Sequence, residues 1–346
     1  YTKSIWLKSS PNWKRYNYLS YKTGDITSNK LGPFMTLCRY LPQGEKAAKP
    51  EKAFIRIRPS YYADSAVAVF DVLRIFYELK GGRVNVIIKS GDNQIIADSL
   101  KNGDGLHEIN FNLGGAKDIQ IDFEGRVSPD IYGISIESRK GIIVDNIPQR
   151  GSVGLEFTMI DKKNLEDSYK MLSPDLIILH YGLNIVKNVK NNYSYYKLGL
   201  SRQLNLLKEV APTVPVVVVG VTDMALNEGD STASYDNIPA IVNAQREAAS
   251  ESGAAFWDAY EAMGGKLSII KWSEKKPPLA QKDYVHLTYQ GADKLSQMLI
   301  KPMFLSEFGI DSYHTTQYYP NPISGYVDEQ GQANWNHQLW QDILPE

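Results

Sequence analysis

Two short stretches of the sequence contain residue types that can carry out nucleophilic chemistry. Asp283 and His286 stand three positions apart in "KDYVHLT", just before a run that predicts a helix. An aspartate that orients a histidine forms two-thirds of a catalytic triad, and such a triad transfers acyl groups. A serine nucleophile would complete it, and Ser231 follows Gly229 and Asp230 in "NEGDSTAS".

Two further stretches place polar groups where a parallel sheet presents its working residues, just past the carboxyl ends of its strands. "NIPQRGSVG" contains Gly151 with Arg150 beside it, and "YGLN" ends on Asn184. Gly151 and Asn184 are candidate members of a site, and Arg150 is a candidate substrate contact. His180 lies inside the apolar run before Asn184, a position more typical of a packed histidine.

The second half of the chain alternates strand-like and helix-like segments. Each strand-like run is apolar along its whole length, which indicates a parallel sheet covered by helices on both faces. The predicted strands are 141–147, 174–182, 214–221 and 254–260, and the predicted helices include 164–172, 238–253 and 289–303.

The first half has a different pattern. Short alternating runs between 53 and 138, separated by turn signals such as "SGDN" and "KNGDG", predict an antiparallel β-sandwich. Residues before it show no clear periodicity. The predicted division is an irregular N-terminal part of the α/β domain at 1–50, the β-sandwich at 51–139, the rest of the α/β domain at 140–305 and a C-terminal tail at 306–346.

Composition narrows the classes of function. The 346 residues are 43% hydrophobic and 22% charged with a net charge of −1, which does not indicate a nucleic acid or an anionic membrane as partner. Cys38 is the only cysteine, so disulfides and Cys-x-x-Cys motifs are excluded. No run approaches the roughly 18 apolar residues of a membrane span. No metal or nucleotide motif is complete, so neither a metal nor another cofactor is predicted.

The blocks around Gly151, Asn184 and the Asp283–His286 pair resemble three of the four motifs of the SGNH, or GDSL-type, hydrolases, in the same order. That family has Gly-Asp-Ser after its first strand, Gly after the second, Gly-x-Asn after the third and Asp-x-x-His before the last helix. "FWDAYEAMGG" and "KDYVHLTYQGADKLS" are most similar to the branch with peptidoglycan and polysaccharide O-acetylesterases and acetyltransferases. Some members of that branch carry a β-sandwich between the first two motifs.

The resemblance implies a flavodoxin-like three-layer α/β domain with an inserted antiparallel β-sandwich, in a bacterial protein that is periplasmic or secreted. It implies a serine-type ester hydrolase that removes O-acetyl groups from a carbohydrate without a cofactor. His286 would be the general base with Asp283 as its partner, and Gly151 and Asn184 would bind the oxyanion. Two alternatives stay open: an O-acetyltransferase that acts on a polysaccharide, and a carbohydrate-binding protein with an inactive site.

The first motif has no match at its expected place. The family nucleophile lies upstream of the sandwich, whereas Ser231 lies beyond the strand at 214–221, in what we expect to be a polar loop. Ser152 is a second candidate, but its neighbourhood fits oxyanion binding better. Residues 1–20 contain no buried-strand run, and the chain begins with Tyr1 rather than Met. We therefore expect the natural protein to begin earlier, with its nucleophilic serine upstream of Tyr1.

Overall fold

A computed structural model describes most of the chain up to residue 307, and the chain divides into two compact units. The described residues are 5–32, 35–61, 69–91, 93–139, 142–147, 149, 151–228 and 231–307. The first unit comprises Tyr1–Asn184, Asn192–Val218 and Ala244–Phe256, and the second comprises Ile185–Asn191, Val219–Asn243 and Trp257–Glu346.

Two antiparallel sheets make up the first part of the first unit. Their strands are β1 (Ile5–Ser9), β2 (Lys14–Asn17), β3 (Thr36–Arg39), β4 (Glu51–Pro59), β5 (Phe70–Leu79), β6 (Val84–Ser90), β7 (Asn93–Ser99), β8 (Gly103–Ala116), β9 (Ile119–Gly125) and β10 (Asp130–Glu137). One five-stranded sheet has the order β1-β4-β9-β6-β7, and the other has the order β2-β3-β10-β5-β8. The neighbouring strands of both sheets run antiparallel.

Alternation of apolar and polar residues explains why these segments form sheets with one buried face. In β9, Ile119, Ile121 and Phe123 are fully buried, while the residues between them are half-buried. They share one hydrophobic core with residues of the other sheet, such as Ile75 and Tyr77 of β5. Burial of each large aliphatic or aromatic side chain contributes about 1.5–3 kcal/mol to folding. The prediction of short antiparallel strands between 53 and 138 is confirmed.

The expectation that residues 1–50 are irregular is wrong, because β1, β2 and β3 belong to the two sheets. β1 pairs with β4, so that Trp6 lies opposite Arg58, and β2 pairs with β3. A short helix, α1 (Tyr18–Thr23), follows β2 and is capped by the Asn17 side chain. The strands are four or five residues long, and β1 pairs with a segment about fifty positions away. Local periodicity does not reveal such long-range pairing.

A three-stranded sheet with helical connections forms the α/β part. The strands β11 (Ile177–His180), β12 (Val216–Val219) and β15 (Ala255–Trp257) are ordered β11-β12-β15. Helix α4 (Ser194–Val210) connects β11 to β12, and α5 (Ile238–Ser252) lies between β12 and β15. Helical crossovers of this kind join parallel strands. The predicted strands at 174–182, 214–221 and 254–260 and the predicted helix at 238–253 are confirmed.

The helices of the first unit bury apolar faces against one another and against the second of the two antiparallel sheets. Leu165 of α2 (Lys162–Leu172), Leu204 of α4 and Ala248 of α5 belong to one hydrophobic core. Phe76 and Tyr132 of the antiparallel sheet lie in the same core. This shared core fixes the position of the loop that follows residue 150, because that loop leads directly into α2.

The predicted buried strand at 141–147 is wrong. Residues 142–147 have no regular secondary structure, and Ile142 and Val144 are 84% and 78% exposed. Among the described strands, β11 has β12 as its only neighbour, and Ile178 of β11 is 47% exposed. A strand needs a neighbour to satisfy its backbone hydrogen bonds. An apolar run alone therefore does not determine whether a segment becomes a strand.

The second unit contains a β-hairpin and four helices within the residues that the structure describes. The hairpin pairs β13 (Ala225–Glu228) with β14 (Ser231–Ser234), and the helices are α3 (Leu183–Val186), which begins at the end of the first unit, α6 (Ala259–Met263), α7 (Ser268–Ser273) and α8 (Tyr289–Glu307). Ile269, Trp272 and Leu295 form its hydrophobic core. The helix predicted at 289–303 is confirmed. None of the described helices is long and apolar enough to cross a membrane.

Candidate active site

Asp283 and His286 lie in one tight loop of the second unit, immediately before α8. The Asp283 Oδ2 atom lies 2.6 Å from the Nδ1 atom of the His286 ring. Its other oxygen, Oδ1, accepts hydrogen bonds of 3.0 Å from the backbone N–H groups of Val285 and His286. The spacing of three residues is what allows one carboxylate to bind both the ring and the backbone of the loop.

The electrostatics of this pair keep Asp283 ionised, and its carboxylate fixes the orientation of the His286 ring. Partial desolvation raises the pKa of Asp283, but hydrogen bonds from the His286 ring and from two backbone N–H groups outweigh it and lower the pKa below its usual value. The carboxylate is therefore ionised at neutral pH and accepts the Nδ1–H of His286. In a neutral imidazole this contact leaves Nε2 as the acceptor, which is the form that a general base requires. The His286 side chain is 71% exposed, so a substrate can reach it.

Backbone contacts on both sides hold this loop in place. The backbone N–H of Gln281 donates to the carbonyl of His286 over 2.8 Å, and Ala280 forms a β-bridge with Leu287. Thr288 caps α8 by accepting the N–H of Gly291, while its hydroxyl donates to the carbonyl of Pro278. The loop is thus tied to the segment before it and to the helix after it.

Gly151 and Asn184 lie in the first unit and belong to two loops joined by a hydrogen bond. The Asn184 side-chain Nδ2 atom donates to the backbone carbonyl of Ser152 over 2.7 Å. Gly151 has a φ of +75°, a left-handed conformation that favours glycine. The structure therefore brings the Gly151 loop and the Asn184 side chain together. Arg150, the predicted substrate contact, lies outside the described residues.

The structure rules against Ser152 as an accessible nucleophile. Ser152 is 2% exposed. Its hydroxyl donates to Glu156 Oε2 and accepts the backbone N–H of Gly154 over 2.9 Å. A hydroxyl whose donor and acceptor functions are both satisfied inside the protein has a structural function. Glu156, five residues after Gly151, was not indicated by the sequence motifs.

A set of buried polar side chains surrounds this loop. Gln203 of α4 accepts the N–H of Phe157 over 3.0 Å and donates to the carbonyl of Gly154. Tyr196, also on α4, donates to the carbonyl of Val153 over 3.2 Å. These contacts satisfy backbone groups of a segment without regular secondary structure, and so they define its path.

Gly154 is predicted to be essential for the stability of this loop. A Cβ atom at Gly154 would lie 2.6 Å from the Cβ and Cγ atoms of Tyr181, and the φ of Gly154 is +88°. We expect Gly154→Ala to destabilise the protein by roughly 2–5 kcal/mol, from left-handed strain and overpacking together. Gly151→Ala is the matched control: its φ is +75° with nothing within 4 Å of the added atom, so only about 1–2 kcal/mol is expected. Urea denaturation measures both. Equal losses would contradict the close packing at Tyr181.

The structure places the other two candidate residues, Ser231 and His180, in surroundings that differ from those we expected. Ser231 was expected in a polar loop, but it begins β14 and pairs with Glu228 of β13. Gly229 and Asp230 lie outside the described residues. His180 ends β11 with an exposed side chain, rather than being packed in the core. In the part of the chain that the structure describes, no group of three or more His, Cys, Asp or Glu residues is arranged to hold a metal ion.

Comparison with known proteins reveals a shared fold. No family model matches the sequence, and no curated protein matches it. Among solved structures, a peptidoglycan O-acetylesterase superposes with a TM-score of 0.64 and 16% identity, over 89% of this chain and 79% of that chain. A GDSL-like lipase from Bacteroides thetaiotaomicron matches 45% of this chain and 73% of its own, with 20% identity and a TM-score of 0.31. The chain has an SGNH/GDSL-type hydrolase fold.

A third similar structure is a family two carbohydrate esterase from Clostridium thermocellum in complex with cellohexaose. It covers 88% of this chain and 99% of its own, with 10% identity and a TM-score of 0.29. The superposition on the peptidoglycan O-acetylesterase shows the fold, and identities this low do not transfer residue roles.

Proposed function

We propose that the protein is a serine-type ester hydrolase that removes O-acetyl groups from a carbohydrate. The observation that carries this proposal is the contact of 2.6 Å between Asp283 Oδ2 and His286 Nδ1, directly before the last described helix of an SGNH/GDSL-type hydrolase fold. Asp283 Oδ1 already holds the backbone of the loop, so the further contact of Oδ2 with an exposed imidazole adds little to folding. The two side chains have a clear chemical use as an acid–base pair.

The proposed reaction is acyl transfer through a covalent intermediate. A serine hydroxyl attacks the acetyl carbonyl, and His286 Nε2 takes the hydroxyl proton. The Asn184 amide and the Gly151 N–H donate to the oxyanion. The tetrahedral intermediate then expels the sugar alkoxide, which receives the proton from His286. Water, deprotonated by His286, then attacks the acetyl-serine. The serine oxygen leaves, takes the proton from His286, and acetate is released.

We propose that the nucleophile is supplied by an apolar strand upstream of Tyr1 in the natural protein. The support is the exposed apolar surface of the described chain: Ile142 and Val144 are largely exposed, as is Ile178 on β11. β11 also has one neighbour only among the described strands. A strand placed beside β11 would cover apolar surface and satisfy its edge. A serine just past the carboxyl end of such a strand would stand where sheets of this type carry working residues.

The proposed substrate is an O-acetylated glycan outside the cytoplasm. Its support is the fold shared with a peptidoglycan O-acetylesterase. We propose further that the two antiparallel sheets are an insert within the hydrolase fold and that Arg150 contacts substrate.

Water and a sugar hydroxyl can both act as acceptor of the acetyl group at an exposed histidine. An O-acetyltransferase is therefore the second candidate function for the same residues. A carbohydrate-binding protein with an inactive site is the third candidate.

An assay of acetate release separates these functions. The natural protein, with its upstream segment, is incubated with O-acetylated peptidoglycan and with an O-acetylated neutral polysaccharide. We expect free acetate to accumulate, with kcat between about 1 and 10³ s⁻¹ as for typical enzymes. Acetyl transfer to an added oligosaccharide, without free acetate, would establish the transferase instead. Glycan binding without either product would establish the inactive binder, and the absence of all three would refute the proposal.

A further inference from the structure

Glu156 is a buried carboxylate whose described partners are all hydrogen-bond donors. It begins a single 3-10 turn, Glu156–Met159, and is 9% exposed. Its Oε2 atom accepts the hydroxyl of Ser152 and, over 2.9 Å, the backbone N–H of Leu155. Its Oε1 atom accepts the N–H of Val153 over 3.3 Å. Among the described residues, no Lys or Arg forms an ion pair with it.

A buried charge without a cationic partner is costly unless hydrogen bonds compensate it. Glu156 also affects the neighbouring tyrosines. Burial is the larger cause and the charge of Glu156 the smaller cause that raise the pKa of Tyr181 to about 12. Burial also raises the pKa of Tyr196, with Glu156 contributing in the same direction. The geometry requires an acceptor at both oxygens of Glu156, because each of them receives at least one donor.

Ser152, whose hydroxyl donates to Glu156, connects Glu156 to Asn184. Glu156 fixes the Ser152 hydroxyl, which in turn accepts the N–H of Gly154 over 2.9 Å. The carbonyl of the same Ser152 accepts the Asn184 Nδ2 atom over 2.7 Å. A primary amide has two N–H donors. The bond to Ser152 uses one of them, fixes the plane of the amide and leaves the second for another acceptor.

We propose that Glu156 is a positioning residue that orients the oxyanion donors of the site through Ser152. This inference rests on the proposed function and deepens it. Glu156 does not touch the substrate. It holds the turn that contains the Gly151 N–H, and it holds the serine whose carbonyl orients the Asn184 amide. Donors that are fixed before the reaction stabilise the transition state without a cost of reorganisation.

Glu156→Gln is the informative substitution because it preserves shape and reverses hydrogen-bond polarity. The amide nitrogen of Gln would face donors that the carboxylate accepts, either the Leu155 N–H with the Ser152 hydroxyl or the Val153 N–H. In the natural protein we expect kcat for ester hydrolysis to fall about 10- to 100-fold, with KM within about threefold. The loss stays below the 10²- to 10³-fold that removal of an oxyanion donor causes.

Glu78→Gln is the matched control. Glu78 is also a buried glutamate, and it accepts the N–H of Gly105 over 2.7 Å and the hydroxyl of Tyr132 over 3.2 Å. It lies in β5, among the antiparallel sheets. We expect Glu78→Gln to lower the midpoint of urea unfolding while kcat stays within twofold of wild type. An equal fall of kcat in both variants would show that Glu156 acts through general stability, and would overturn the proposal.

A double-mutant cycle with Asn184→Ala tests the route of the effect. If Glu156 acts in part through Asn184, Glu156→Gln has a smaller effect on kcat once the amide is gone, because only the effect on the Gly151 N–H is left, so the two losses are not additive. Fully additive losses would overturn the proposal. Should Glu156→Gln fail to fold, Ser152→Ala takes its place in the same cycle, because it removes the hydroxyl that Glu156 holds.

An NMR measurement keeps this test independent of catalysis. With Asn side chains labelled with ¹⁵N in the 346-residue chain, the Asn184 amide signals, assigned by Asn184→Ala, are compared between variants. We expect Glu156→Gln to shift these signals and to speed their exchange with water, and Glu78→Gln to leave them unchanged. Unchanged Asn184 signals in Glu156→Gln would overturn the proposal. Failure of the proposed function would instead appear as a wild-type protein without esterase activity but with this NMR response intact.

Discussion

His286→Ala in the natural protein is expected to lower kcat for ester hydrolysis by about 10⁴- to 10⁶-fold. In the proposed mechanism, the substitution removes the group that takes the serine proton and later protonates the leaving alkoxide. Because the His286 side chain is exposed and its carboxylate partner is half-exposed, the unfolding midpoint should change little. Single-turnover kinetics on an O-acetylated substrate, together with urea denaturation, separate the chemical loss from any loss of folding.

Ser231→Ala is the control for this prediction, and its kcat should stay within a few-fold of wild type. Ser231 begins the second strand of an antiparallel hairpin. A triad nucleophile in an α/β hydrolase stands instead on a sharp turn from a strand into a helix. Covalent labelling of Ser231 by a serine-directed probe, with loss of activity in Ser231→Ala, would contradict the placement of the nucleophile upstream of Tyr1.

Elements with a local signal were predictable from the sequence. β12 is apolar along its whole length and is mostly buried, and α4 places Tyr196, Leu200 and Leu204 at helical spacing on its buried face. The Asp283–His286 contact is local as well, because three residues separate the two groups. In each case a pattern a few residues long contains the physical cause of the structure.

Elements that depend on distant partners were not predictable in this way. The run at 142–147 has the composition of a buried strand, yet it is exposed and unpaired, because a strand is defined by its neighbour as much as by its side chains. The opposite is true of β1. Its residues show no clear periodicity, but they pair with β4, about fifty positions further along the chain.

The part of the site around Gly151 was predictable in outline only. The resemblance pointed to Gly151 and Asn184, and the structure joins their loops through the Ser152 carbonyl. Glu156 has no signature in a motif, because its contacts include the backbone N–H groups of Val153 and Leu155. A sequence displays side chains, but the direction of backbone donors depends on the folded path of the loop.

Asp283→Asn is expected to lower kcat by about 10⁴-fold while KM changes little. In the wild type, Oδ1 accepts the N–H groups of Val285 and His286, and Oδ2 accepts the ring Nδ1–H over 2.6 Å. An asparagine keeps its carbonyl oxygen on the backbone donors and turns its NH₂ group toward Nδ1. The ring proton then moves to Nε2, and His286 loses the lone pair that accepts the serine proton. The ¹⁵N chemical shifts of the His286 ring report this change of tautomer directly.

Asp293→Asn is the matched control, because Asp293 lies on α8 and accepts a side-chain hydrogen bond of 3.1 Å from Gln297. Its kcat should stay within twofold of wild type. The pKa of Asp283 is lowered by its hydrogen bonds, so the wild-type carboxylate stays ionised as the pH falls from neutrality toward the ordinary range of an aspartate.

A loss of kcat of less than tenfold in Asp283→Asn, or unchanged ¹⁵N shifts of the His286 ring, would show that Asp283 only shapes the loop. The proposed acid–base pair would then have to be abandoned.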